Sequence, residues 1–146
     1  MNKMPEFTYD EINGIASCTI KYKNMTFGGF AECHPDDRDF MARATGENIA
    51  AMRATIEYLI FVRDCEIKPA LNALKHLKAC MIHSKNYNPK SYEAKSLNRQ
   101  IDNYENDLAE IKAMIAKEKI NLKLYITQKD AYYRLVRERR KKAESN

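Results

Sequence analysis

Near the C-terminal end of the sequence, carboxylate, guanidinium and phenol groups lie close together. Asp130 and Arg134 are four residues apart, so on a helix their side chains would project from the same face. Tyr133 lies between them, and Arg137 follows Tyr133 by four residues. Guanidinium groups bind phosphate, carboxylates accept hydrogen bonds from ribose hydroxyls, and aromatic rings stack on bases. This cluster predicts a nucleotide-binding site, and the alternative is an ordinary intrahelical ion pair beside core tyrosines.

Further candidate ligand-binding residues lie nearer the N-terminus. Arg38, Arg43, Arg53 and Arg63 would add phosphate contacts if an oligomer brought them together. Adjacent glycines in a strand predict either a bulge or a close approach by another backbone or a ligand, and Phe30 follows such a pair. The candidate ligand-binding residues are therefore Asp130, Tyr133, Arg134, Arg137, Arg38, Arg43 and Phe30.

Enzymatic and metal-dependent functions are not expected from the residue patterns. The sequence has neither a Walker lysine nor the glycine spacing of a dinucleotide-binding loop. His76, Cys80 and His83 would share one face of a helix, but no fourth metal ligand lies near them in sequence. A partly buried stripe is the favoured interpretation of these three residues. We therefore expect a non-enzymatic protein without a cofactor or a metal.

The positive charge is concentrated in the second part of the chain. The net charge is +5, and residues 1–48 carry five Lys or Arg against eight Asp or Glu, whereas residues 49–146 carry twenty against twelve. Six basic residues lie between Arg134 and Lys142, opposed only by Glu138. Such a run suits a solvated helix C-terminus or a contact with a polyanion such as nucleic acid.

Composition predicts a soluble protein of one domain. The chain has 146 residues, of which 45% are hydrophobic and 31% charged. It has no run of roughly 18 apolar residues that would span a membrane, and no apolar region follows Lys3 as in a secretory signal. We therefore expect a cytoplasmic protein that does not enter the membrane.

The elements that must position these residues are predicted from hydrophobic periodicity. Residues 16–23 alternate between apolar and polar side chains, which predicts a strand; Asn24-Met25 would turn the chain into a second strand over residues 26–33. A weaker strand is expected around Phe7–Tyr9, followed by a turn at Asn13-Gly14. Together these elements predict a small antiparallel β head at residues 1–33.

Two long helical segments are predicted after the β head. The first starts at His34-Pro35-Asp36-Asp37, with a short turn that ends near Thr45-Gly46. From Glu47 its apolar residues recur at steps of three and four, and Pro69 should kink the helix near Cys65 or Glu66. The stripe consists of Ile49, Met52, Ile56, Leu59, Ile60, Ile67, Leu71, Leu74, Leu77 and Met81.

The third segment has a heptad-like pattern after a predicted cap at Asn88-Pro89. Steps of four and three alternate, which predicts a helix of roughly 75 Å with a supercoiled partner. Its expected seam is Leu97, Ile101, Tyr104, Leu108, Ile111, Ile115, Glu118, Leu122, Tyr125, Lys129, Tyr132 and Val136. The two polar members, Glu118 and Lys129, would fix the register or pair across an interface.

The predicted fold is α+β and mostly helical. It has a small N-terminal antiparallel sheet followed by two long antiparallel, coiled-coil-like helices, the first kinked near Pro69, in an oligomer built on a dimer. The expected parts of this single domain are the β head at 1–33, the helical segment at 34–87, the long helix at 88–142 and a tail at 143–146.

This layout resembles the phage anti-Thoeris nucleotide-sponge family of the first type described. The resemblance rests on the β-hairpin head from Cys18 to Cys33, the two long helices, and the placement of Asp130 and Arg134 one turn apart. The run GGFAECHPDD, from Gly28 to Asp37, resembles a signature of that family.

The resemblance implies a phage protein of the host cytoplasm that binds a signal without turning it over. Dimers would assemble into a hexamer and sequester cyclic ADP-ribose isomers made by Thoeris immune enzymes, with cyclic oligonucleotides at a separate site. The pocket would lie between protomers and use Asp130, Tyr133 and Arg134. The alternative is a coiled-coil interaction protein that binds nucleic acid or a protein through its basic C-terminal helix.

Overall fold

The computed structural model describes residues 4–38 and 43–145. The chain divides into two units, of which the first contains residues 1–58 and 117–146 and the second contains residues 59–116. The expected architecture is confirmed in that a small antiparallel sheet precedes long helices and the protein is mostly helical.

The sheet has three antiparallel strands in the order β1 (Glu6–Asp10), β2 (Ile15–Tyr22) and β3 (Met25–Glu32). Both pairings run without a break in register, so the bulge predicted as one alternative at Gly28-Gly29 is absent from this sheet. The turn between β2 and β3 is also different from the expected one. Tyr22 pairs with Met25, so Lys23 and Asn24 form the turn, and Lys23 has a φ of 53° in the left-handed region.

A 3₁₀ turn at Pro35–Asp37 follows the sheet, and helix α1 spans Arg43–Phe61. The expected stop near Thr45-Gly46 is wrong, because both residues lie inside α1. Residues 39–42, through which the predicted helical segment continues, lie outside the described residues.

Pro69 interrupts the helical hydrogen bonding where the sequence predicts it. The chain passes from α1 through a π-helical stretch, Val62–Ile67, into helix α2, Lys68–Ile82. Proline has no N–H to donate to the carbonyl four residues back, and its ring crowds that carbonyl. The N–H of Lys68 donates to the carbonyl of Arg63, five residues back, so the helix widens around the proline.

Helix α3 spans Tyr92–Ser145 and starts later than Asn88-Pro89 predicts. Ser91 is the cap, because its Oγ accepts from the N–H of Ala94 at 3.2 Å. Asn88 instead stabilises the preceding turn by accepting from the N–H of Lys90. Residues 143–145, which we expected in a tail, are helical, and Asn146 lies outside the described residues.

The core of the first unit forms where α1 packs against the inner face of the sheet. Cys18 and Ile20 of β2 pack with Ala50 and Ala54 of α1. The small alanines allow the helix backbone to approach the strands closely. The ring of Tyr58 also packs edge-on with those of Tyr22 and Phe27, with 5.2 and 5.8 Å between centroids.

The core of the second unit forms between α2 and α3. Leu71 packs with Leu97 and Ile101, and the partly buried members of the cluster are Leu74, Met81, Tyr104 and Leu108. Lys75 of α2 also pairs with Glu105 of α3, with 3.2 Å between Nζ and Oε1. Leu77 of the predicted stripe lies outside this core and is 53% exposed.

The predicted seam of α3 agrees with burial from Leu97 to Lys129, because each of its members in that range is buried or partly buried. The next member is wrong: Tyr132 is 57% exposed, and Tyr133 is 7% exposed. The strict 3.5-residue repeat is therefore interrupted after Lys129, where a step of four brings Tyr133 into the interior, and the last predicted member, Val136, is again partly buried.

Candidate functional site

A groove in the first unit runs beside β3 and has a volume of about 470 Å³. We call it the β3 groove. Residues of β3, α1 and α3 line it: Gly28, Gly29, Phe30, Arg53, Ile56, Glu57, Lys119 and Leu122. Its volume lies within the usual range for small-molecule sites, roughly 300–1,000 Å³.

The groove is built on a close approach between β3 and α1. A Cβ atom added to Gly29 would overlap the carbonyl oxygen of Ala50 and would lie 2.6 Å from the nitrogen of Ala54. Only glycine leaves room for the helix backbone at this distance. The sequence predicted either a bulge or a close approach at the paired glycines. The close approach of another backbone is therefore confirmed at Gly29.

The groove combines the exposed edge of β3 with groups of both charges. Phe30 lines the groove at this edge, and its side chain, on the strand face opposite to that of Gly29, is 61% exposed. Arg53 donates from Nη1 to the carbonyl oxygen of Phe30 at 2.6 Å, which holds its guanidinium at the edge of the strand. Lys119 adds a second cation, and Glu57 a carboxylate. The two cations can bind phosphate, and the carboxylate can accept hydrogen bonds from ribose hydroxyls.

A smaller cavity of about 150 Å³ lies elsewhere in the same unit, and we call it the Asp130 cavity. Most of its side chains are polar. It is lined by Glu32, Cys33, His34, Asp37, Thr45, Ile49, Ile126, Lys129, Asp130 and Tyr133. Its volume is below the usual range for nucleotide-sized ligands.

Asp37 connects this cavity to the last helix. The residue is 8% exposed, and its Oδ1 lies 2.9 Å from Nε of Arg137. That Nε–H donates to the carbonyl of Tyr133, so the ion pair with Asp37 lacks a hydrogen bond at Oδ1. Within the described part of the chain, Oδ1 of Asp37 is thus a buried acceptor without a hydrogen-bond donor.

The Cys33 thiol in the cavity wall is a weak nucleophile. Burial raises the pKa of this thiol above its ordinary value, and the nearby Asp37 carboxylate raises it further, while Arg38 lowers it. The thiol is therefore protonated at neutral pH, and its Sγ donates to the carbonyl of His34 at 3.4 Å.

The structure brings together only part of the predicted C-terminal cluster. Asp130 and Tyr133 both line the Asp130 cavity, and Arg137 is next to it through Asp37. Arg134 is exposed and is not among the described residues that line the cavity or the β3 groove.

The other predicted ligand residues are separated from this cluster. Arg38 donates to the carbonyls of Ile12 and Asn13, so it holds the turn between β1 and β2. Arg43 pairs with Glu47 at 2.7 Å and also lies over the ring of Tyr9. Phe30 lines the β3 groove.

Sequence reasoning missed two charged residues of the groove. Glu57 and Lys119 carry no motif, and they lie far from Phe30 in sequence. The paired glycines are the one usable signal, because a close helix approach brings a face of α1 beside Phe30. Arg53 lies on that face and is among the arginines predicted to add phosphate contacts.

Two further structural findings concern other kinds of site. Among residues 4–38 and 43–145, no three His, Cys, Asp or Glu side chains are grouped to hold a metal ion. No helix in these ranges has both the length and the apolar run needed to cross a membrane.

Comparisons with family models, curated proteins and solved structures found no match to this chain.

Proposed function

We propose that this protein binds a nucleotide in the β3 groove and sequesters it without turnover. The observation that carries the proposal is the lining of the groove, where the edge of β3 at Phe30 lies with two cations and a carboxylate around about 470 Å³. This combination suits a base, its phosphates and a ribose.

The proposed ligand class is that of cyclic nucleotide immune signals. The layout of a β head and long helices resembles the anti-Thoeris sponges, which suggests cyclic ADP-ribose isomers as ligands and cyclic oligonucleotides at a second site. On this proposal the chain is a phage anti-defence protein that acts in the host cytoplasm.

Self-association is part of the proposal. The second nucleotide site would use the Asp130 cavity, which at about 150 Å³ is too small to enclose a nucleotide with the groups of one chain. A second copy would have to supply the remaining walls, as in a pocket between protomers. A dimer, or a hexamer of three dimers, would provide them.

Native mass spectrometry tests ligand retention and assembly in one measurement. The protein is incubated with a mixture of cyclic ADP-ribose isomers and cyclic oligonucleotides, desalted and sprayed, and the bound ligand is then released by denaturation. We expect an oligomer that carries a nucleotide of unchanged mass. A protein that retains no nucleotide would contradict the proposal, and release of a hydrolysed product would contradict sequestration without turnover.

A pair of lysine variants localises the binding to the groove. Lys119 lines the β3 groove, whereas Lys123 is an exposed lysine one turn further along α3 that is not among the lining residues. We expect Lys119→Met to weaken retention about tenfold and Lys123→Met to leave it unchanged. Equal retention by both variants would place the ligand elsewhere.

The second candidate function is nucleic-acid or protein binding through the C-terminal end of α3. Four exposed cations there have no ion-pair partner within the described ranges: Arg134, Arg139, Lys141 and Lys142. A cationic helix end with unpaired side chains suits a polyanion. Fluorescence anisotropy with labelled duplex DNA tests this candidate, which requires binding that weakens steeply with salt.

A further inference from the structure

We infer that the edge of β3 recognises the base of the bound nucleotide through the main chain, with the carbonyl of Gly28 accepting and the N–H of Phe30 donating a hydrogen bond. This inference rests on the proposed function and names the part of the ligand that contacts the strand.

The direction of the main-chain groups in β3 follows from its hydrogen bonding to β2. The N–H of Cys33 donates to the carbonyl of Gly14 at 2.8 Å, so these two residues form a hydrogen-bonded pair. In an antiparallel ladder such pairs recur at every second residue. Gly29 and Ala31 of β3 therefore direct their N–H and C=O groups towards β2, whereas Gly28 and Phe30 direct theirs away from it.

An independent contact agrees with this assignment. Arg53 donates to the carbonyl of Phe30, which requires that carbonyl to point outwards from the sheet. Within residues 4–38 and 43–145, the outward carbonyl of Gly28 and the outward N–H of Phe30 have no hydrogen-bond partner. Since β3 is an edge strand and both residues line the groove, these groups are available to a ligand there.

A carbonyl and the N–H two residues later are complementary to a nucleobase edge. Adenine carries an N6 amino donor beside the N1 acceptor, and guanine carries an N1–H donor beside the O6 acceptor. Either base would donate to Gly28 and accept from Phe30. Gly28 has no side chain that could cover this edge, and its nearest neighbour to an added Cβ would be the Cys18 carbonyl oxygen at 3.8 Å.

A base fits this edge better than an added peptide strand does. A peptide strand would need the outward carbonyl of Phe30 as its next acceptor, but Arg53 already occupies that oxygen at 2.6 Å. The same guanidinium, together with Lys119, places positive charge beside the edge, as the phosphates of a nucleotide require.

Calorimetric titration with ADP and with 1,N6-etheno-ADP tests the inference, because the etheno bridge blocks N1 and N6 without removing the phosphates. We expect the etheno derivative to bind at least tenfold more weakly than ADP. GDP binding as tightly as ADP would identify the shared donor–acceptor edge as the recognised feature, and weaker GDP binding would identify adenine.

Proline variants test the strand side of the same contact. Phe30→Pro removes the outward N–H, which the sheet does not use, and Phe30→Leu removes the ring but keeps the N–H. Thr26→Pro is the matched control, since Thr26 also directs its N–H outwards but does not line the groove. We expect ADP binding to weaken about tenfold more in Phe30→Pro than in Phe30→Leu, with Thr26→Pro like the wild type and all three folded by circular dichroism.

The outcomes separate this inference from the proposed function. If ADP and its etheno derivative bind equally, or Phe30→Pro binds as Phe30→Leu does, main-chain recognition is wrong although the groove still holds a nucleotide. If ADP does not bind at millimolar concentration, the inference is overturned, and the retention of signals in native mass spectrometry decides the proposed function separately.

Discussion

Gly28 and Gly29 are adjacent in sequence but have different roles in the structure. Gly29 faces α1, and any side chain there would overlap the helix backbone at Ala50 and Ala54. Gly28 faces the opposite side of the strand, where an added Cβ would have an ordinary contact at 3.8 Å. One glycine is thus required by packing, and the other leaves the rim of the groove uncovered.

This difference predicts unequal effects of alanine at the two glycines. Gly29→Ala should lower the free energy of unfolding by about 3 kcal/mol, because helix backbone cannot move aside as a flexible side chain can. Gly28→Ala is the matched control and should change it by less than about 0.5 kcal/mol. Urea denaturation measures both values, and equal values would contradict the close approach of α1.

The carboxyl group of Asp64 has a pKa well below the ordinary value for an aspartate. Hydrogen bonding from Arg63, at 2.8 Å, is the main cause, and Lys68 at 3.2 Å adds to it, so the pKa falls from 3.8 to about 2. A carboxylate with a lowered pKa stabilises the folded state above pH 3.8, and this contribution disappears as the pH falls towards 2.

NMR titration of the carboxyl groups checks this prediction. Asp64 should titrate near pH 2 in the wild type and at a higher pH in Lys68→Met, which removes one of its two cationic partners. Lys75→Met is the control, because Lys75 pairs with Glu105 instead. Titration of Asp64 near 3.8 in the wild type would show that these pairs do not form in solution.

Packing between helices α2 and α3 stabilises the second unit. Leu71 is 4% exposed and packs against Leu97 and Ile101, whereas Leu77 of the same helix is largely exposed. Both leucines belong to the apolar stripe predicted from sequence. Their burial differs because the less exposed face of α2 continues from Leu74 to Lys78 by a step of four, which leaves Leu77 one residue off that face.

Alanine variants of the two leucines should therefore differ. Leu71→Ala should lower the free energy of unfolding by about 3 kcal/mol, since it removes buried methyl groups and leaves a cavity. Leu77→Ala should change it by less than about 0.5 kcal/mol. A chemical denaturation series compares them, and a comparable loss in Leu77→Ala would mean that an oligomer covers this residue in solution.

Across the whole molecule, charge is divided between an acidic N-terminal part and a basic remainder. Two basic residues of the last turns are paired, Arg137 with Asp37 at 2.9 Å and Arg140 with Glu144 at 3.3 Å. Arg134, Arg139, Lys141 and Lys142 have no ion-pair partner in the described ranges. These unpaired cations and the β3 groove are separate sets of residues, so their contributions to binding can be measured separately.

Salt dependence distinguishes the two sets. DNA contacts by about four cations would weaken roughly a hundredfold between 50 and 200 mM salt, while a ligand held in the groove should weaken far less. Neutralising three of the exposed cations with Arg139→Gln, Lys141→Gln and Lys142→Gln should leave nucleotide retention unchanged. Loss of nucleotide retention in this variant would indicate that the nucleotide binds at the C-terminal end of α3.

Elements with local signals can be predicted from the sequence alone. Alternation from Ala16 to Tyr22 predicts β2, the seam from Leu97 to Lys129 predicts the buried face of α3, and Pro69 predicts the interruption that becomes a π-helix. Each of these follows from side-chain periodicity or from a missing backbone donor, and both act within a few residues.

The tertiary structure decides which of the candidate ligand-binding residues lie close together. Phe30, Arg53 and Lys119 line one groove because α1 and α3 are both placed beside β3, and no short-range pattern encodes that placement. Arg38 and Arg137 are predicted ligand residues. In the structure, Arg38 donates to the carbonyls of Ile12 and Asn13, and Arg137 pairs with Asp37, so both arginines contact residues that are distant in sequence. Charge and residue type show what a side chain can bind, and long-range packing selects its partner.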